Sequence, residues 1–530
     1  MKSVHYLLFL FFFPCVCFAQ TLEEALSYGL PVIVVNTENG EEPTAERIDH
    51  PEGCMGVGIT NVTKVPGRVR IYNPGDAESP VYDSGEYEKD KSGMIFKLRG
   101  NTSAIDAKKP FCIMLQKEAD MLMRDDQRMA DREWALLKPR SWPQYPCPIA
   151  TMIGNKITEI LQVADWIPDG EHVNLIVNDN FRGFYYLTET IKRNERCRIN
   201  VDEQTGYISE IDPYWWNKDI CVESPQLLRN AYKFTFKYPD SSNITDEQLD
   251  NFREYLDLFN TSLKNGTYPL YIDVENCARW LLAHQILGTW DAAGSNMFFI
   301  RRDNHSKLQM GPLWDFNSIL QVSDTWTSIM SVHYFGYMLN GSPNRTLARE
   351  MIRIWESEKE HIISEITNFY ESLVGTELAQ AIDLSITADK KRWPGRTLDD
   401  MNTTVEKLRQ YFPKRTEDID SLLQTLNTKD GVIQWPEGTF VLNGTERPVA
   451  GSSLSVSSQI GNLLQYTFKW TRGDALGTFD DTVLSSTPDY VITENDYEHW
   501  LRVTISDLGG GNLCKGHMDK QAARSLYNNG

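Results

Sequence analysis

Apolar and polar positions change their rhythm along the chain. From Leu30 to about Gly100, short apolar runs are broken by Gly, Pro and Asp. Pro31-Val32-Ile33-Val34-Val35, Gly67-Arg68-Val69-Arg70-Ile71-Tyr72 and Met94-Ile95-Phe96-Lys97-Leu98-Arg99 read as strands. Lys109-Pro110-Phe111-Cys112-Ile113-Met114-Leu115 continues them, with Phe111, Ile113 and Leu115 on one face. Residues 150–161 have helical spacing, and residues 173–177 and 183–189 flank the turn Asn178-Asp179-Asn180 as a hairpin. A helix is predicted over 243–263, starting near Thr245 with Asp246 and Glu247 in its first turn. Asp273 is placed to cap the next helix, which runs to about Leu287 and stops at Gly288. A hairpin follows over 297–301 and 308–313, and residues 346–426 are mostly helical, with Met351, Ile354 and Trp355 at three- and four-residue spacing.

Strands first, a mixed middle and helices last give an α+β class, not a βαβ repeat. The strand-rich part covers about 30–120 and the helical part about 245–427. Helical spacing ends after Thr428-Lys429-Asp430-Gly431. Tyr466-Thr467-Phe468-Lys469-Trp470 and Trp500-Leu501-Arg502-Val503-Thr504-Ile505 then alternate as half-buried strands, and residues 428–530 are expected to form an all-β, immunoglobulin-like sandwich.

Composition adds less. The 530 residues carry a formal net charge of −20, which argues against nucleic acid or an anionic membrane as partner. Residues 1–19 read as a signal peptide: Lys2, an apolar stretch from Tyr6 to Phe18, and Cys17-Phe18-Ala19 at the cleavage end. The mature protein is therefore expected to be secreted, periplasmic or at the cell surface, with no integral membrane segment after cleavage. The cysteines beyond the leader are scattered, without CxxC or zinc spacing; Cys197 with Cys221 is the pair considered for oxidation.

The chemistry concentrates in two short stretches. Asp291-Ala292-Ala293-Gly294-Ser295-Asn296 precedes the hairpin, and Trp314-Asp315-Phe316-Asn317 follows it. Phosphoryl transfer asks a protein to position a nucleotide, neutralise its oxygens and orient an acceptor hydroxyl. In that layout Asp291 accepts the hydroxyl proton, while Asp315 and Asn296 hold a divalent cation. A lysine is wanted upstream on a strand, and Lys108 and Lys109 open one; Glu189 follows in the order expected of its ion-pair partner. Arg99 is a further candidate for a phosphate contact. His284, on the helix before Asp291, reads as a packed core residue. Gly53-Cys54-Met55-Gly56-Val57-Gly58 is too loose for a phosphate loop, and no Walker A pattern occurs.

The same segments resemble a known family. Arg99-Gly100-Asn101-Thr102-Ser103 with Lys108-Lys109-Pro110-Phe111 looks like the RGxSS…KKpY element of CotH-type spore-coat kinases. Gly183-Phe184-Tyr185-Tyr186-Leu187-Thr188-Glu189 resembles the family's GxYxLxE hairpin. Trp290-Asp291 with Asn296, and Leu313-Trp314-Asp315-Phe316-Asn317, resemble its D-x4-N and WDFD elements. Tyr411-Phe412-Pro413-Lys414-Arg415 looks like its closing, Arg-containing helix. The likeness spans about residues 30–427 within a first domain taken as 20–427. It implies an atypical protein-kinase-like fold that binds ATP with Mg2+ or Mn2+ and phosphorylates a protein substrate rich in Ser and Thr. Asn317 stands where the family usually has a second Asp, as a third metal-side residue. Pro148-Ile149-Ala150 replaces the expected Arg-Asn.

Two other functions fit the sequence. One is a degenerate kinase-like adhesin or scaffold at the cell surface, which Asn317 and the β-rich tail favour. The other is a carbohydrate-binding or carbohydrate-active protein, suggested by paired carboxylates and the aromatic run Tyr214-Trp215-Trp216.

Overall fold

Hydrophobic alternation over the first part of the chain closes into a barrel. The computed structural model describes residues 21–521 except 140–145, 228–230, 290–291, 293–294, 322–324, 332, 434, 437, 445–448, 461–462, 475–477, 498 and 508–517. The predicted leader and Asp291 thus lie outside the described residues. After a short helix α1 (Leu22–Leu26) come β1 (Val32–Thr37), the hairpin β2 (Glu46–Asp49) and β3 (Val57–Thr60), β4 (Val65–Tyr72), β5 (Tyr82–Asp83), β6 (Met94–Leu98), β7 (Phe111–Ala119) and β8 (Asp131–Leu137). Helix α2 (Ala150–Ile160) precedes the hairpin β9 (Gly170–Val177) and β10 (Asn180–Glu189). The strand order is β1-β9-β10-β8-β7-β6-β4-β5, and β1 also pairs with β4, so seven strands form a ring with β5 attached. Closure removes the free edges that an open sheet would present. Ile33, Val69, Phe96, Ile113, Trp134, Leu175 and Leu187 fill the interior. Period two then sends Lys97, Cys112 and Glu133 to the outer face.

A second sheet builds the middle of the molecule from β11 (Tyr207–Ile211), β12 (Val222–Glu223), β13 (Lys233–Tyr238), β14 (Met297–Arg301) and β15 (Gln309–Met310), ordered β12-β13-β11-β14-β15. One face enters the largest core, shared with α3 (Asp246–Asn265), α4 (Val274–Leu287), α5 (His333–Gly336), α6 (Thr346–Ser372), α7 (Glu377–Arg392) and α8 (Met401–Leu423). The other face carries a smaller cluster of Ile208, Phe298 and Ile300, with Trp314 packed against it. The sequence signals for the helix ends hold. Thr245 and Gln248 form a reciprocal capping box on α3. Asp273 caps α4, and Gly288 ends it in the left-handed region at φ 58°.

The last part consists of two three-stranded antiparallel sheets: β16 (Phe440–Asn443), β17 (Ser453–Ser458) and β19 (Asp489–Val491), and β18 (Tyr466–Gly473), β20 (Trp500–Asp507) and β21 (Met518–Gln521). Leu454, Val456, Phe468, Trp470, Leu501 and Val503 make one core between them. Among the described residues, no helix is long and apolar enough to cross a membrane. Cys197 and Cys221 are free thiols, so the pairing considered from the sequence is not present.

Candidate active site

The loop after β15 is locked from below. Phe316 is buried and its ring lies over Gly154 of α2, where an added Cβ would come within 2.0 Å of the Phe316 ring. Asp315, just before it, is held at φ 62° and remains exposed. That left-handed conformation is uncommon outside glycine and is best tolerated by Asn and Asp. The Asp315 Oδ1 accepts the Asn317 side-chain amide at 2.5 Å and the Asn317 backbone N–H at 3.3 Å. Its Oδ2 takes no hydrogen bond from any described residue. Asn296 is also left-handed, at φ 58°, with its Nδ2 donating to Ser295 Oγ at 3.2 Å.

Arg99 reaches this loop from the end of β6. Its guanidinium lies 5.4 Å from the Trp314 ring centre, a cation–π arrangement. Loss of water pushes its pKa down, against the charges of Asp315 and Glu133. No described residue accepts a hydrogen bond from it or pairs with it as an anion. Asp315 and Glu133 act on this half-buried guanidinium without a direct ion pair, which leaves its N–H groups for an anionic ligand. Together, Arg99 and the open carboxylate oxygen of Asp315 suit a nucleotide phosphate with a divalent cation. Among the described residues there is no group of three His, Cys, Asp or Glu side chains that could hold a metal, so protein ligands alone do not complete a site there. Magnesium bound through one or two carboxylates plus phosphate oxygens and water does not need such a group.

Three other predicted residues are engaged elsewhere. Lys108 is 2 % exposed, and its ammonium donates to the Phe184 carbonyl at 2.5 Å and to the carboxylate of Asp389 on α7. Burial, partly offset by Asp389, pushes its pKa down to about 7. This lysine fastens α7 to β10. Lys109 donates to the Ala104 carbonyl at 3.0 Å. Glu189 does not meet either lysine. Its Oε1 accepts from Arg124 at 2.9 Å and its Oε2 from the Asp169 backbone N–H at 3.0 Å. Spacing along the chain cannot foresee that pair, because Arg124 sits on a loop between β7 and β8 with no motif around it.

Charged residues that sequence reasoning passed over gather near Arg99. On the Trp314 side of the second sheet, Lys237 lies 3.0 Å from the Glu210 carboxylate, and its ammonium is 5.7 Å from the Phe298 ring centre. Asp212 and Arg99 both act on it. The signal was a charge in the interior of an otherwise apolar strand, at Glu210 in Tyr207–Ile211 and at Lys237 in Lys233–Tyr238. On the barrel face, the Cys112 thiol is pushed up to about 12 by burial and by Glu133, which holds it neutral.

The C-terminal end of α4 is braced from three directions. Arg415 of α8 donates to the Gln285 carbonyl at 2.6 Å and to the Thr325 carbonyl at 3.1 Å. The Gln285 side chain accepts from the Thr327 N–H at 3.0 Å, and the Leu320 N–H reaches the Leu287 carbonyl at 2.6 Å. His284 is a packed core residue, as expected: it bonds Thr289 Oγ1 at 2.7 Å, and burial pushes its pKa down to about 3. The aromatic run 214–216 packs against the glycine-rich loop at 53–58. Trp216 Nε1 donates to the Met55 carbonyl at 3.2 Å, and an added Cβ on Gly56 would meet the Tyr214 ring at 2.4 Å.

The family described as CotH: CotH kinase protein matches residues 96–419, more than half of the chain. No curated protein matches. Among solved structures, the Helicobacter pylori proinflammatory kinase CtkA is similar at 11% sequence identity, over 55% of this chain and 90% of that chain, with a TM-score of 0.21. That likeness is too slight to say anything about the site.

Proposed function

The chain belongs to the CotH kinase protein family, and from that premise we propose that it is an exported phosphotransferase that uses ATP with Mg2+ or Mn2+ to phosphorylate Ser or Thr on protein. The observation that supports this reading most is the pairing of an anion-seeking guanidinium, Arg99, with the exposed carboxylate of Asp315 beside it. Asp315 would hold the cation, and Asn317 fixes the orientation of that carboxylate by donating to its Oδ1. Asn296 is the second cation-side residue. When bound, the cation supplies neutralisation of phosphate charge. Arg99 adds a fixed positive charge on the barrel side. Asp291 accepts the proton of the acceptor hydroxyl, and Arg415 holds the end of α4 from which its loop departs. Residues 1–19 direct export, and the C-terminal β module is an immunoglobulin-like surface module.

A second reading is a kinase-like scaffold without activity at the cell surface. Asn317 favours it, because one carboxylate of the family's pattern is missing. Transfer of labelled phosphate from ATP to a Ser-rich acceptor protein separates the two: transfer supports the enzyme, and its absence with both Mg2+ and Mn2+ supports the scaffold.

A further inference from the structure

Phosphoryl transfer needs a cation on the nucleotide's phosphates, and of the two lysines that sequence order suggests, Lys108 is buried in an ion pair and Lys109 points back along its own loop. Lys108 has its ammonium against the Asp389 carboxylate and the Phe184 carbonyl, with the Tyr185 ring centre 4.4 Å away. Lys109 is turned back to Ala104. The role falls to a different pair of groups.

We propose that Lys237, steadied by Glu210, and Arg99 together form the phosphate clamp of this site, gripping a nucleotide's polyphosphate from the second sheet and from the barrel. The proposal rests on the reading above that the site takes a nucleotide. Three observations converge on it. The first is placement: Arg99 lies over Trp314 at 5.4 Å and Lys237 over Phe298 at 5.7 Å, and these two aromatics belong to one apolar cluster. The second is access: the Lys237 side chain is 38 % exposed, while the Glu210 side chain against it is 10 % exposed. A recess of about 140 Å³ opens beside it, lined by Asn217, Lys218, Asp219, Thr235 and Ser241. The third is that no carboxylate of the described residues makes a direct ion pair or hydrogen bond with Arg99, although Asp315 and Glu133 act on it from farther off.

The electrostatics agree. Glu210 raises the pKa of Lys237, desolvation lowers it, Asp212 raises it and Arg99 lowers it, so the two cations already sense one another. Two neighbouring cations repel until a polyanion lies between them. A lysine aligned by a carboxylate can swing one of its three N–H bonds to a phosphate while keeping that partner.

The test is calorimetric binding of ATP and AMP, with Mg2+, to the full chain. For Lys237→Met, the preference for ATP over AMP should fall by roughly tenfold to a hundredfold, the worth of one charge-assisted contact. Lys237→Arg should keep most of that preference. Arg99→Gln gives the same selective loss by an independent route. Lys108→Met should lower the melting temperature without changing the preference. Equal weakening of ATP and AMP in both Lys237→Met and Arg99→Gln, or an unchanged preference in both, overturns the clamp alone. Wild-type protein that binds no nucleotide overturns the clamp and the proposed function together.

Discussion

Glu171 sits on β9 near two other acids, Asp169 and Asp120. Burial first, and then those two charges, push its pKa up to about 7. The folded chain therefore holds this proton more tightly than the unfolded one. No stability is lost through Glu171 below about pH 4.5; the loss grows as pH rises from there and is complete above about 7. Glu171→Gln is expected to leave the melting temperature unchanged at pH 4 and to raise stability by about 2 kcal/mol at pH 8, a figure reduced for partial exposure. Thermal melts of both proteins across pH 4–8 check the sign. The same physics explains which site residues were legible in the sequence. The candidates Asp315, Asn296 and Arg99 lie in motifs whose residue types suggest the chemistry proposed for them. Lys237 and Glu210 do not, because a charge in a strand looks the same whether it faces water or a site. The partner of Lys108, Asp389, lies 281 residues away, so spacing along the chain does not show that pair.

At the scale of elements, position depends on how one piece seats another. The loop carrying Asp315 has no regular structure beyond one short turn, and its height is set by Phe316 on the glycine face of α2. Gly154→Ala inserts a methyl group where the ring lies. Overpacking of this kind costs about 1–3 kcal/mol, and here the relief is a shift of the loop. The expected result is a lower melting temperature together with weaker Mg2+-dependent ATP binding, measured on the same sample. Helices α3 and α4 and the β9–β10 hairpin were legible because caps, Gly288 and the turn at Asn178 and Asp179 (φ 48° and 60°) act locally. Closure of the barrel was not. Alternation says that one face of β1 is buried, but nothing in its residues selects β4 on one side and β9 on the other.

For the whole molecule, the boundary between the family region and the β module is a structural joint. Asp430, at the expected change in composition, caps α6: its Oδ1 accepts the Arg345 N–H at 2.6 Å and the Arg349 guanidinium at 2.9 Å. Its side chain is 1 % exposed. Asp430→Ala takes the carboxylate from the Arg349 guanidinium and the acceptor from the Arg345 N–H, and is expected to cost about 3 kcal/mol, read from urea unfolding of the helical signal. The one measurement that bears most directly on the central claim, that Asp315 and Asp291 serve one metal-dependent phosphoryl transfer, is transfer of labelled phosphate measured beside ATP binding in single variants. Asp315→Asn should lose metal-dependent ATP binding and transfer together; Asp291→Ala should bind ATP as the wild type does and transfer nothing. Wild-type levels of transfer in either variant would contradict the account.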